Sequence, residues 1–310
     1  MHCCFVRSFI CLVVLSIGGT AMATDAGFKI DPGARPASLA AALPDSELKE
    51  RLLACRGGTF QSSVFSIAHR GAPLGYPEHT REGYIAAARM GAGVIECDVT
   101  FTKDGALVCR HSQCDLHRTT NILTTALAQK CTVPFTPAGD GQPADAKCCT
   151  TDITLAEFKT LCGRRDVVDP TAADIGTYLR DPATPVKATP MRCATLVTHA
   201  ESIRLIDELG ANFIPELKFP EVPMPHLGMD QAAYASRMLA DYQSAAIDPA
   251  RVMPQSFRLQ DLEHWIDEHP EFADNAVYLD ARGRQAGFKP SLAGMRRLRE
   301  TGINIVAPPM

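Results

Sequence analysis

The rhythm of apolar and polar positions changes near residue 64. Ahead of it, residues 24–59 carry Pro32, Pro36 and Pro44 and one amphipathic segment. There Leu48, Leu52 and Leu53 form a stripe behind Asp45 or Ser46, which predicts a single short capped helix packed outside the main domain. From residue 64 onward, short apolar runs alternate with longer stretches of helical period. The runs predict strands at 65–69, 94–100, 213–218, 252–256, 276–279 and 303–307. Helices are predicted at 81–90, 196–209, 231–244, 259–269 and 292–300, the first capped by Thr80 and the second ended by Gly210. A turn at 102–105 and a short extended return at 106–111 follow the second strand. Strands that alternate with helices imply a parallel sheet, and this length suits an α/β barrel built as one domain.

One stretch breaks the alternation. Residues 112–192 are irregular, rich in proline and cysteine, with one short helix expected at 155–161. Long loops inside compact domains are usually functional or disordered, and cysteines argue against disorder. The stretch reads as a disulfide-stapled cap beside the mouth of the barrel. The N-terminus has the form of a secretory signal: Arg7, an apolar core at 9–17, and the small-x-small site Ala21-Met22-Ala23. The apolar core is too short for a comfortable membrane span, an uncleaved anchor being the alternative, and no later segment approaches one. An exported chain starting near Thr24 would keep nine cysteines, Cys55, Cys97, Cys109, Cys114, Cys131, Cys148, Cys149, Cys162 and Cys193. Most should pair in an oxidising compartment, and the odd count leaves at least one free. Cys97 is the expected free thiol, turned away from Glu96 and Asp98 into the layer between strand and helix. A zinc site is the weaker alternative, because there is no C-x-x-C pair. The net charge is −4. The basic run Arg296-Arg297-Leu298-Arg299 reads as a solvated helix face, so composition gives no case for nucleic acid.

The candidate chemistry lies at strand ends. Glu96 and Asp98 are two apart on one strand and therefore point the same way. Two carboxylates that close need a cation or a shared proton. Glu216, on the next strand, brings a third, and Lys218 lies on the same side as Glu216. His69 and Arg70 end the first strand and His111 closes the return. Three carboxylates, two histidines, an arginine and a lysine are the parts of a metal-assisted phosphate-ester hydrolase. Hard oxygen ligands suit Mg2+ or Ca2+.

His69-Arg70-Gly71, Pro77-Glu78-His79-Thr80, residues 93–99, Thr102-Lys103-Asp104-Gly105, His111 and Glu216-Leu217-Lys218 occur in that order. This chain thereby resembles the glycerophosphodiester phosphodiesterase family from about residue 65 to the C-terminus. The resemblance implies a TIM-type (β/α) barrel with a Cys-rich insertion after strand two. It implies one divalent cation on Glu96, Asp98 and Glu216, and His69 and His111 as the acid–base pair in an order the sequence leaves open. Arg70 and Lys218 would face the phosphate, and Glu78 would orient its neighbours. Gln255-Ser256-Phe257 is a candidate wall of the alcohol pocket. The implied reaction is cleavage of a small-molecule glycerophosphodiester to glycerol 3-phosphate and an alcohol, outside the cytoplasm. The chain departs from the family pattern at His79, where asparagine is usual, and at Ser112, where aspartate is usual. His79, His117, His199, His226, His264 and His269 are assigned no chemistry. Six strands are read where the family barrel has eight, so the last two strand–helix units are expected to be lacking. Rival readings are a phospholipase D-like enzyme on intact lipids and a non-catalytic remnant of the barrel.

Overall fold

The computed structural model describes residues 28–181 and 193–308. The expected signal sequence and its cleavage site lie outside these residues, as does the end of the cysteine-rich stretch. Two helices lead in, α1 (Arg35–Ala41) and α2 (Glu47–Ala54). Ser46 caps α2 by accepting from the Lys49 amide. No helix was expected at α1, where Pro36 occupies the first turn and supplies a φ already suited to a helix.

The alternating part follows the expected periods. It runs β1 (Ser63–Ala68), α3 (Arg81–Arg89), β2 (Ala92–Phe101) and β3 (Leu107–Cys109). The cysteine-rich stretch holds α4 (Leu116–Thr119), β4 (Val133–Thr136), β5 (Asp145–Lys147), α5 (Leu155–Phe158), β6 (Cys162–Gly163) and α6 (Ile175–Tyr178). Then come β7 (Ala194–Thr195), α7 (His199–Glu208), β8 (Asn212–Leu217), α8 (Gln231–Ser244) and β9 (Gln255–Ser256). The chain continues through α9 (Leu259–Glu268), α10 (Pro270–Ala273), β10 (Val277–Leu279), α11 (Leu292–Glu300) and β11 (Ile305–Ala307).

Two boundaries move for identifiable reasons. The helix expected from residue 196 begins at His199, because Thr198 and Glu201 form a reciprocal capping box and residues 194–195 pair with β6 instead. The strand expected at 252–256 narrows to β9, with Val252 contributing only an isolated bridge to Phe213. Pro254 between them has no amide to give to a ladder.

Six strands form one parallel path in the order β1-β2-β8-β9-β10-β11, and β3 pairs antiparallel with β2. The central register sets Asp98 opposite Glu216, and Glu216 opposite Gln255. Among the described residues the path is open, with β1 at one edge and β11 at the other. The β1–β2 pairing depends on Gly93. A Cβ built there would lie 2.5 Å from the Ser63 carbonyl group, closer than any side chain tolerates.

The main core lies between the sheet and its helices, with Ile95, Cys97, Val99, Phe213, Met238 and Trp265 among its members. Trp265 donates its indole N–H to the Ala235 carbonyl at 3.2 Å, so its polar atom is satisfied inside that core. A second, smaller core sits in the cysteine-rich stretch around Leu116, Ile122, Cys148, Ile153, Phe158 and Tyr178. Disulfides Cys114–Cys149, Cys131–Cys148 and Cys162–Cys193 bind it. It is tied to the barrel where Thr150 donates to the Phe101 carbonyl at 2.7 Å and the Lys103 amide donates to the Ile153 carbonyl at 2.9 Å.

Cys97 is not free. It points away from Glu96 and Asp98 as expected, but it is bonded to Cys109, whose Cα lies 5.3 Å away. The antiparallel return of β3 places Cys109 opposite Val99, and so within disulfide reach of Cys97. The free cysteine among the described residues is Cys55, exposed just after α2. No described helix is long and apolar enough to cross a membrane.

Candidate active site

Glu96 and Asp98 sit where the parallel part of β2 ends. That pairing runs from Val94 to Val99, and β2 then continues to Phe101 only because β3 pairs with it. Glu216 stands across from Asp98 on β8. One oxygen from each of the three carboxylates lies within 4.8 Å of the others, and all three residues are buried.

Each carboxylate is held by specific donors. Glu96 accepts from the Arg70 amide at 2.8 Å and from the Gln255 side chain at 2.9 Å. Gln255 therefore braces a carboxylate rather than lining an alcohol pocket, while Ser256 turns to Asp261 and Phe257 is half exposed. Glu216 accepts from Lys218 at 2.6 Å. Asp98 accepts at Oδ2, while its buried Oδ1 meets no donor. Arg70 Nε is 4.0 Å from Asp98 Oδ2.

Electrostatics follow from this crowding. Burial, and then repulsion from Asp98 and Glu216, pushes the Glu96 carboxyl up to about 9. Burial and Asp98 push Glu216 up to about 7. Burial also raises Asp98, against the pull of Lys218 and Arg70. Burial opposes the charge on Lys218, but Asp98 and Glu216 outweigh it and hold that amine above its ordinary value. Without a cation the cluster favours retained protons. Three buried carboxylates with oxygens within 4.8 Å of one another, and an Asp98 Oδ1 without a donor, are a donor set that fits a hard divalent cation.

The other expected residues gather around this cluster. His69 follows β1, is largely exposed, and sets Nε2 3.8 Å from Glu96 Oε2. Arg70 adopts φ 62° and donates to Glu78 at 3.1 Å. A left-handed backbone is uncommon at a residue with a side chain, and here it turns both the Arg70 amide and its guanidinium inward. His111 lies beside Glu78 and Asp115, in a second group whose ligand atoms fall within 4.8 Å of one another. That group already has its positive charge. The buried guanidinium of Arg110 lies 3.6 Å from Glu78 Oε1 and 3.9 Å from Asp115 Oδ1, and donates to the Glu78 carbonyl at 2.8 Å. Burial, then Lys218 and Arg70, pushes the His111 imidazole down to about 2, so it stands neutral.

Two residues bonded into this cluster carried no clear signal. Arg110 ends an apolar run next to His111, and only its complete burial shows that it organises Glu78. His79 was assigned no chemistry. It is wholly buried, with Nε2 2.8 Å from Asp98 Oδ2 and Nδ1 3.1 Å from the Tyr84 hydroxyl. Its place in a segment rich in site residues, Pro77 to Thr80, was the available hint.

The cysteine-rich stretch borders the mouth. A cleft of about 220 Å³ is lined by Arg70, Pro73, Tyr76 and Glu78 on one side and by Arg165, Asp166 and Val167 on the other. Glu221, after β8, accepts from Ser112 and pairs with Lys147 at 3.4 Å.

The model of the glycerophosphoryl diester phosphodiesterase family matches residues 69–278, which includes every residue of this cluster. The chain belongs to that family. It is similar to a glycerophosphodiester phosphodiesterase of Bacillus subtilis, 30% identical over 201 residues, covering 64% of this chain and 54% of that protein. It is also similar to a protein of Arthroderma benhamiae named only as an extracellular protein, 38% identical over 118 residues, covering 37% of this chain and 48% of the other. The chain thus spans about half the length of these curated relatives. A crystal structure of a candidate glycerophosphoryl diester phosphodiesterase from Silicibacter pomeroyi superposes with a TM-score of 0.55 at 20% identity, covering 78% of this chain and 74% of that one. At that identity the likeness speaks for the fold, a TIM-type barrel, of which the parallel sheet described above is the corresponding part.

Proposed function

We propose that the chain hydrolyses glycerophosphodiesters to glycerol 3-phosphate and an alcohol, with one divalent cation, Mg2+ or Ca2+, on Glu96, Asp98 and Glu216. The observation that carries this is the trio of buried carboxylates on adjacent strands, with Lys218, Arg70, His69 and His111 around it. The bound cation would supply Lewis-acid stabilisation of charge on the phosphoryl oxygens. Arg70 offers its fork and Lys218 its ammonium to the remaining phosphoryl oxygens. A water oxygen forms the new P–O bond and the P–O bond to the alcohol breaks. His69, beside Glu96, and His111, beside Glu78, are the pair that takes the proton from water and returns one to the departing alkoxide. Glu78, paired with Arg70 and Arg110, holds the arginines in place.

The barrel reading extends to the open sheet. Among the described residues β1 and β11 end the sheet, and a barrel of this type closes between two such strands. Residues 112–192 are the proposed insertion, stapled beside the substrate mouth. Four disulfides suit an oxidising compartment and so an exported protein, and the extracellular relative agrees.

A second reading has a specific observation behind it. Leu74, Phe219 and Phe257, in the loops after β1, β8 and β9, are large, apolar and exposed. Such side chains at the mouth suit a substrate that keeps an acyl chain. Turnover of glycerophosphocholine, compared with lysophosphatidylcholine and with products identified, tests both. Release of glycerol 3-phosphate and choline from the first substrate is the expected result. Cleavage of the lipid alone would favour the second reading, and cleavage of neither would overturn both.

A further inference from the structure

The most telling hydrogen-bond chain in the site uses a histidine that the proposed chemistry does not. His79 and Tyr84 are both fully buried. With a cation bound, Asp98 is ionised and only accepts, so the 2.8 Å bond to Asp98 Oδ2 would place a proton on His79 Nε2. Nδ1 is then the acceptor, and the Tyr84 hydroxyl, 3.1 Å away, is its donor. The backbone invests in the same geometry. His79 holds φ 51°, and its amide donates at 3.1 Å to the carbonyl of Arg70, itself at φ 62°. One loop, residues 69–79, therefore pins two carboxylates at once. The Arg70 amide takes Glu96 Oε2 and the His79 ring takes Asp98 Oδ2. What remains is Asp98 Oδ1, buried and without a donor.

We propose that His79, oriented by Tyr84, is a positioning residue that engages one oxygen of Asp98 and thereby turns the other toward the cation. The ring does not touch the cation or the substrate. It acts by removing the rotational freedom of a ligand carboxylate, as outer hydrogen bonds do in other metal sites. This rests on the reading of Glu96, Asp98 and Glu216 as the cation site, and the test separates the two.

The test is calorimetric titration of Mg2+ and of Ca2+ into the full, chelated chain, compared among wild type, His79→Leu, His79→Gln and Tyr84→Phe. His79→Leu should weaken the metal Kd by about 10–100-fold, the usual cost of a lost outer partner. The far-ultraviolet spectrum should stay native, so that the loss appears as metal affinity. His79→Gln places an amide N–H near the position of Nε2 and should recover most of the affinity. Tyr84→Phe removes one hydroxyl from a buried ring and should weaken binding by a smaller, still measurable factor. A folded His79→Leu protein that binds metal as wild type does overturns the proposal. Should His79→Leu not fold, an unchanged Kd in Tyr84→Phe overturns it as well. If wild type itself binds neither metal, the cation-site reading falls and this proposal with it.

Discussion

The two strands at the start of the sheet are built from similar residues and meet opposite fates. β2 presents Val94, Ile95, Cys97 and Val99, all buried between β1, β8 and the helices. β1 presents Val64, Phe65 and Ile67, which are 70%, 95% and 50% exposed. An apolar, β-prone run announces a strand, but burial comes from neighbours, and among the described residues β1 has a partner on one side only. The site inherits this asymmetry. Its carboxylate half, Glu96, Asp98 and Glu216, is buried and cross-braced by Gln255, Lys218 and His79. Its other half is less enclosed, with His69 largely exposed at the end of β1. The difference teaches that one site can be enclosed and cross-braced at its charge cluster yet open to solvent at its edge.

The sharpest way to break the comparison is to remove charge from its buried half. Glu96→Gln keeps the shape and the Gln255 contact but removes a ligand charge, so turnover should fall below detection while the far-ultraviolet spectrum stays native. Measurable turnover by this variant would contradict a cation held at that position. On the open half, His69→Ala and His111→Ala should each lower kcat by about 10²–10⁴, the range for a lost general acid or base. Wild-type turnover in either folded variant would strip that residue of its role.

Smaller effects probe the seam between the strands. Gly93→Ala forces a methyl against the Ser63 carbonyl and should cost about 1–3 kcal/mol, read as a lower melting temperature. An unchanged melt would mean that β1 is not tightly seated on β2. Phe65→Ser on the exposed face should move stability by no more than about 0.5 kcal/mol. A large loss there would show that the edge is covered in solution.

Much of this arrangement was legible beforehand, and the failures have physical causes. The run from Gly93 to Val99 is apolar apart from two carboxylates at period two, so strand, direction and charge cluster could be read together. Helix ends were legible where a cap was explicit, as at Thr80. The cysteine-rich stretch was not legible in detail. Its elements are two to five residues long, too short to show a period, and disulfides rather than repeated apolar faces hold them. Cys97 was misjudged because pairing depends on where β3 returns, a tertiary fact. His79 was missed because a buried histidine reads like any core residue until its partners, Asp98 and Tyr84, are known.

The central claim is that the buried carboxylates exchange protons for a divalent cation, and melting temperature against pH, with and without Mg2+, tests it most directly. In the metal-free chain Glu96 titrates near 9 and Glu216 near 7, both above the 4.5 of an unconstrained glutamate. Above about 4.5 the folded state holds protons that the unfolded state has released, so stability falls as pH rises from there, the Glu216 contribution levelling off near 7 and the Glu96 contribution near 9. Mg2+ competes with those protons, so the stabilisation it gives should grow across the same window. The account predicts a metal-free melting temperature that declines from pH 5 to 9 and a Mg2+-induced rise that widens with pH. A melting temperature unmoved by Mg2+ or Ca2+ at pH 8 would contradict it.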